Sequence, residues 1–174
     1  MKKILLGASL ACALSGCNTQ PLAPVNEEPV RAGVISTVDK KRLAQGTTDI
    51  VIRAFKPGDP ADKKAKPQEI VGAACMVESD EVRAKVITPQ IVTVPNFKQR
   101  ATFPNRGLPS ALVVTCETST MRGIASATSR EKQVTTATGG GLAVALITIA
   151  ATAAVANSTP WVYPAAISVN MAEK

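Results

Sequence analysis

The chain has no histidine among its 174 residues and few aromatic side chains, three Phe, one Trp and one Tyr. Without imidazole it lacks the commonest general base, the Ser-His-Asp and Cys-His nucleophile systems, and the usual nitrogen ligand of zinc. So few aromatics provide no platform on which bases could stack. Acidic groups are the minority, 13 against 20 basic, but the excess is mild and not interleaved with aromatics, so nucleic acid is not an expected partner. No cofactor, metal set or catalytic residue is expected. The pair Asp80-Glu81 and the scattered Ser and Lys residues have the spacing of solvated turn charges, so an enzyme is not expected.

What is present begins with an export signal. Lys2 and Lys3 precede an apolar run over residues 4–14 that is too short for a spanning helix, and the run ends in Leu14-Ser15-Gly16-Cys17. This tetrapeptide resembles the lipobox of bacterial lipoproteins: an aliphatic residue, two small residues, then the cysteine that becomes the mature N-terminus. The resemblance implies that residues 1–16 are a signal peptide and that Cys17 carries the lipid, palmitate included. Two or three acyl chains, at about 0.8 kcal/mol per buried methylene, make such an attachment stable where one chain is marginal. Residue Asn18 follows. In the enterobacterial sorting pattern aspartate at that place retains a lipoprotein in the inner membrane, so Asn18 resembles an outer-membrane passenger facing the periplasm. Losing Lys2 and Lys3 takes two charges off the formal +7.

From 17 to 48 the chain has Pro21, Pro24, Pro29 and Glu27-Glu28 with little hydrophobic period, and reads as a lipidated tether. Within it, residues 38–43 fit a short helix or a solvated turn. Residues 49–55 suit a strand, and residues 56–67, dense in Pro, Gly and Lys, an exposed loop whose Lys63, Lys64 and Lys66 are offset by Asp59 and Asp62. Residues 70–77 read as a buried strand. Val82-Arg83-Ala84-Lys85-Val86 alternates, placing the apolar members inward. Thr88-Pro89 breaks that run, residues 91–94 resume until Pro95, residues 96–109 form a long loop, and residues 111–116 a central strand. Short strands punctuated by Pro and Gly over 49–130 predict a mainly β fold, a small sandwich or barrel.

Removal of the signal takes Cys12, and lipid occupies Cys17, leaving Cys75 and Cys116 in an oxidising compartment, each in an expected strand. A structural disulfide is expected. The alternatives are a redox pair and a metal site, though the sequence has no C-x-x-C spacing and no evident electropositive setting to lower a thiol pKa.

The order Cys75, then Thr88-Pro89-Gln90-Ile91-Val92-Thr93-Val94-Pro95, then Leu112-Val113-Val114-Thr115-Cys116 resembles small bacterial envelope lipoproteins with a "C…TP..V.VP…L.V.C" core. It is also similar to the PEGA-type β-domain of surface and envelope proteins. Gly139-Gly140-Gly141 and Trp161-Val162-Tyr163-Pro164 match the later features of that group. The Asn-Asp-Lys-Gly run that often follows the first cysteine is replaced by Val77-Glu78-Ser79-Asp80, and no Gly-Tyr pair follows Cys116. The resemblance covers residues 75–169 and implies an envelope protein with no catalytic residues to carry over.

The last part, residues 131–174, has no charge from Gln133 to Ala172 and is Gly/Ala-rich and apolar over 139–156. Two readings follow. As a helix, 137–156 measures about 30 Å, enough to cross a bilayer, which makes the protein an inner-membrane component that oligomerises as a bundle or pore. Against this stand its glycines and threonines, and the basic Arg130 and Lys132 on the outer side. The preferred reading is a hairpin or helix packed on the domain or on an envelope partner, with self-association through 139–156. Residues 163–169 then return as a strand.

Overall fold

The computed structural model describes residues 21–62, 64–131 and 159–174. The signal peptide, Cys17 and the segment 137–156 lie outside the described residues. Twelve strands are described: β1 (Asn26–Arg31), β2 (Gly33–Val34), β3 (Leu43–Lys56), β4 (Gln68–Ile70), β5 (Ala74–Glu78), β6 (Val82–Ile87), β7 (Gln90–Phe97), β8 (Leu112–Glu117), β9 (Met121–Ala127), β10 (Arg130–Glu131), β11 (Trp161–Val162) and β12 (Ala166–Glu173). They form one open sheet in the order β10-β11-β7-β3-β12-β9-β8-β5-β6-β2, with β1 also on β7 and β4 also on β3. The fold is mainly β, as expected.

Period-two burial accounts for most of these strands. In β6, Val82, Ala84 and Val86 are buried while Arg83, Lys85 and Ile87 are exposed. β8 buries Leu112, Val114 and Cys116, and β12 buries Ile167, Val169 and Met171. Residues from both ends of the sheet order, Ile52 and Val92 on one side and Val77 and Val114 on the other, belong to one core cluster, so the halves of the bent sheet pack face to face. The bend is at β12. Its first part runs parallel to β3, Ala166 beside Val51 through Asn170 beside Phe55, and its last part runs antiparallel to β9, Met171 beside Gly123.

Several boundaries differ from the sequence expectation. The stretch 17–48, read as tether, contains β1, β2, a 3-10 turn at Lys40–Arg42 and the start of β3. Pro29 fits because β1 is an edge strand, paired only with β7. The single strand expected at 70–77 is divided between β4 and β5 by a turn at Gly72, whose φ of +85 favours glycine. Pro95 does not end β7. The Thr93 carbonyl accepts from Ala32 N on the β1 side, and Pro95, two residues on, faces the same side beyond the end of β1, where no ladder bond is lost. The final strand, expected as part of a separate tail, lies in the middle of the sheet.

β9 approaches β12 closely enough that a Cβ on Gly123 would sit 2.3 Å from the Asn170 carbonyl oxygen. Neither backbone can retreat without breaking the join between the halves. Gly123→Ala is therefore expected to destabilise the domain by about 2 kcal/mol, read as a lower midpoint in urea at unchanged m-value.

Candidate functional site

β1 and β6 come from opposite halves and lie against each other without pairing. β6 is bonded along its length to β5, but on its other edge only Val82 and Arg83 meet β2. The seam left between them opens into a cleft of about 1050 Å³, lined by Pro24, Val30, Met76, Val86, Ile87 and Pro89. Lys85 and Glu117 are the charged groups on its wall. Glu117 is held below the usual carboxylate range by its hydrogen bond to and attraction for the Lys174 ammonium, 2.6 Å away. An apolar concavity of this size with a few polar groups is the common form of a binding site.

The cleft is positioned by a half-buried ion pair. Arg53 of β3 and Glu69 of β4 are bonded to each other, and both reach the backbone of Ala23. Arg53 Nη1 donates to the Ala23 carbonyl at 3.0 Å, and Ala23 N donates to Glu69 Oε2 at 2.7 Å. Gln90, itself buried, donates from Nε2 to the Glu28 carbonyl at 2.6 Å. These contacts fix the segment that forms one wall.

A second polar cluster lies at the β5–β6 turn. Asp80 and Glu81 were expected as solvated turn charges, but Glu81 is 3% exposed. Its carboxylate accepts from Arg42 Nη2 at 3.3 Å, Ser79 Oγ at 3.0 Å and Ser110 N at 3.2 Å. Tyr163 donates to the Ser110 carbonyl at 2.6 Å and meets Phe97 edge to face. The Glu81 oxygens are thus taken up in joining the Lys40–Arg42 turn, the hairpin and the loop before β8. The geometry is that of a fastening.

Cys75 and Cys116, the predicted pair, are directly opposed on β5 and β8, with Cα atoms 4.1 Å apart, and form a disulfide. Cys75 also contributes to the cleft wall. Sequence reasoning missed Arg53, Glu69, Glu81 and Tyr163, because their partners are distant in the chain. The only local signal was the Ser79-Asp80-Glu81 turn, which a charged surface loop shares.

Two measurements test these assignments. Replacing Cys75 and Cys116 by Ser opens a loop of sequence separation 41 and is expected to cost about 4 kcal/mol in denaturant unfolding; a loss under 1 kcal/mol would refute the staple. Burial pushes the Tyr163 hydroxyl from 10.0 up to about 12, and the Glu81 charge adds to the shift. The neutral phenol therefore favours the fold fully below pH 10, and this share is lost as pH rises from 10 to about 12. Tyr163→Phe is expected to lose about 1 kcal/mol at neutral pH and to show a shallower alkaline decline than the parent. Parallel declines would sink the assignment.

No curated protein and no solved structure matches the chain. Among the described residues no helix is long and apolar enough to cross a membrane. Residues 1–18 match the family described as prokaryotic membrane lipoprotein lipid attachment site, a match that contains Cys17. The chain is that of a lipid-anchored bacterial lipoprotein of the cell envelope.

Proposed function

We propose that the protein is a non-catalytic lipoprotein of the outer membrane, attached through acyl chains that include palmitate on Cys17, with its β-domain in the periplasm. There the apolar cleft between β1 and β6 binds another envelope component. The observation that carries this reading is the cleft itself, a concavity of about 1050 Å³ between two strand edges, next to the attached end of the chain. Asn18 supports the outer-membrane destination. The likeness of residues 75–169 to PEGA-type envelope domains, and the uncharged 139–156 as a self-association segment, belong to the same reading.

The inner-membrane alternative, a helical crossing over 137–156, meets a geometric objection. Arg130 and Glu131 pair with Val162 and Trp161, so the chain leaves and rejoins the sheet at adjacent positions. One end of a crossing helix stands about 30 Å from the other. The links from Glu131 to Ala137 and from Ala156 to Trp161 reach at most about 20 Å each, too little for either to return across the bilayer alone.

Labelling with a palmitate analogue, followed by sucrose-gradient fractionation, tests attachment and address together. Label is expected on the parent in the outer-membrane fraction and absent from Cys17→Ala; label on the variant, or an inner-membrane address, would overturn the reading. Met76→Glu, which places a charge on the cleft wall, is expected to lower recovery of crosslinked partners at unchanged melting temperature. Unchanged recovery would count against the cleft.

A further inference from the structure

The anchor leaves the domain little slack. Pro21 is four residues beyond Cys17, a reach of about 14 Å at most, and Ala23 is already clamped by Arg53 and Glu69. The end of the domain that holds Ala23 therefore stays within about 20 Å of the attachment point. That end carries three large aliphatic side chains exposed to solvent, Leu22 at 57%, Val71 at 63% and Ile87 at 63%. The three are linked by short paths. Leu22 precedes the clamped Ala23, and Val71 follows Glu69 by two residues. Gly72 N donates to the Thr88 carbonyl at 2.7 Å, which brings Val71 beside the end of β6, and Ile87 sits opposite Ala74. Three carboxylates near this end are paired, Glu69 with Arg53, Glu117 with Lys174 and Glu173 with Lys56, while Glu28 of β1 is exposed.

We propose that Leu22, Val71 and Ile87 form a bilayer-contact face, entering the boundary between headgroups and acyl chains beside the anchor. The lipid surface is the occupant because the tether is too short to keep this end away from it. Docking there orients the domain, with the Gln90 end of β7 toward the membrane and the cleft opening near its surface. The inference rests on attachment at Cys17, which the mass of the mature N-terminal peptide checks separately.

The test uses the full-length mature acylated protein in vesicles of phosphatidylethanolamine and phosphatidylglycerol doped with a phospholipid that carries a photoactivatable acyl chain. Adducts are expected on peptides containing residues 21–25, 70–72 and 86–89, with none above background at the equally exposed Ile124. A triple variant, Leu22→Ser, Val71→Ser and Ile87→Ser, changes only exposed positions. It is expected to melt with the parent, lose those adducts and transfer to acceptor vesicles about tenfold faster. Adducts confined to the Cys17 lipopeptide, equal labelling at Ile124, or an unchanged transfer rate would overturn the proposal. If the triple variant does not fold, the adduct map of the parent decides alone.

Discussion

Everything in the domain depends on β12 serving two neighbours at once. Its first five residues extend the half-sheet of β3 and β7, and its last three extend that of β9, β8 and β5. Because alternate side chains Ile167, Val169 and Met171 all face inward, the strand continues one buried surface across the bend. Two sheets packed by their faces alone could slide; two sheets sharing a strand have a fixed register. The cost is kinetic as well as entropic. The β3–β12 ladder joins residues more than a hundred positions apart, and closing so long a loop delays the core until the end of the chain is in place.

Two carboxylates at opposite ends of the domain, Glu81 buried and Glu69 half-buried, do the remaining fastening. Glu69 with Arg53 holds the entering chain, and Glu81 with Arg42, Ser79 and Ser110 holds the far turns. Neither is a bare ion pair. Each carboxylate also accepts from backbone N–H groups, and such additional hydrogen bonds are what compensate the removal of charges from water. Their value lies in geometry: each joins segments that hydrophobic burial alone would leave free to move.

The strands β6 and β8 were legible in the sequence because one face is buried and the other wet, which imprints a period of two on a few adjacent residues. The cysteine pairing was legible by elimination, since compartment and processing left two thiols. The N-terminal strand was not: Pro24 and Pro29 read as linker, and only the geometry of an edge strand makes Pro29 acceptable. The pair Arg53 and Glu69 and the burial of Glu81 depend on contacts made across the fold, which leave no local pattern. The cleft is harder still to foresee, because it arises where β1 and β6 fail to pair, and an unmade ladder has no residue code.

The two ends of the domain have different properties, and β7 measures the distance between them. Asn26 stands beside Gln90 at one end and Trp161 beside Phe97 at the other, about 23 Å apart along the strand. The first end receives the lipid-bearing chain and opens the cleft. At the second, Arg106 pairs with Glu131 while its carbonyl accepts from the Trp161 indole, so one residue grips both boundaries of the uncharged segment. Arg106 does this from a left-handed conformation, φ 55, next to Asn105 at φ 48, a backbone cost that non-glycine residues bear only where surrounding contacts impose it. Anchoring and the gripping of the uncharged segment are thus separated along the long axis of β7.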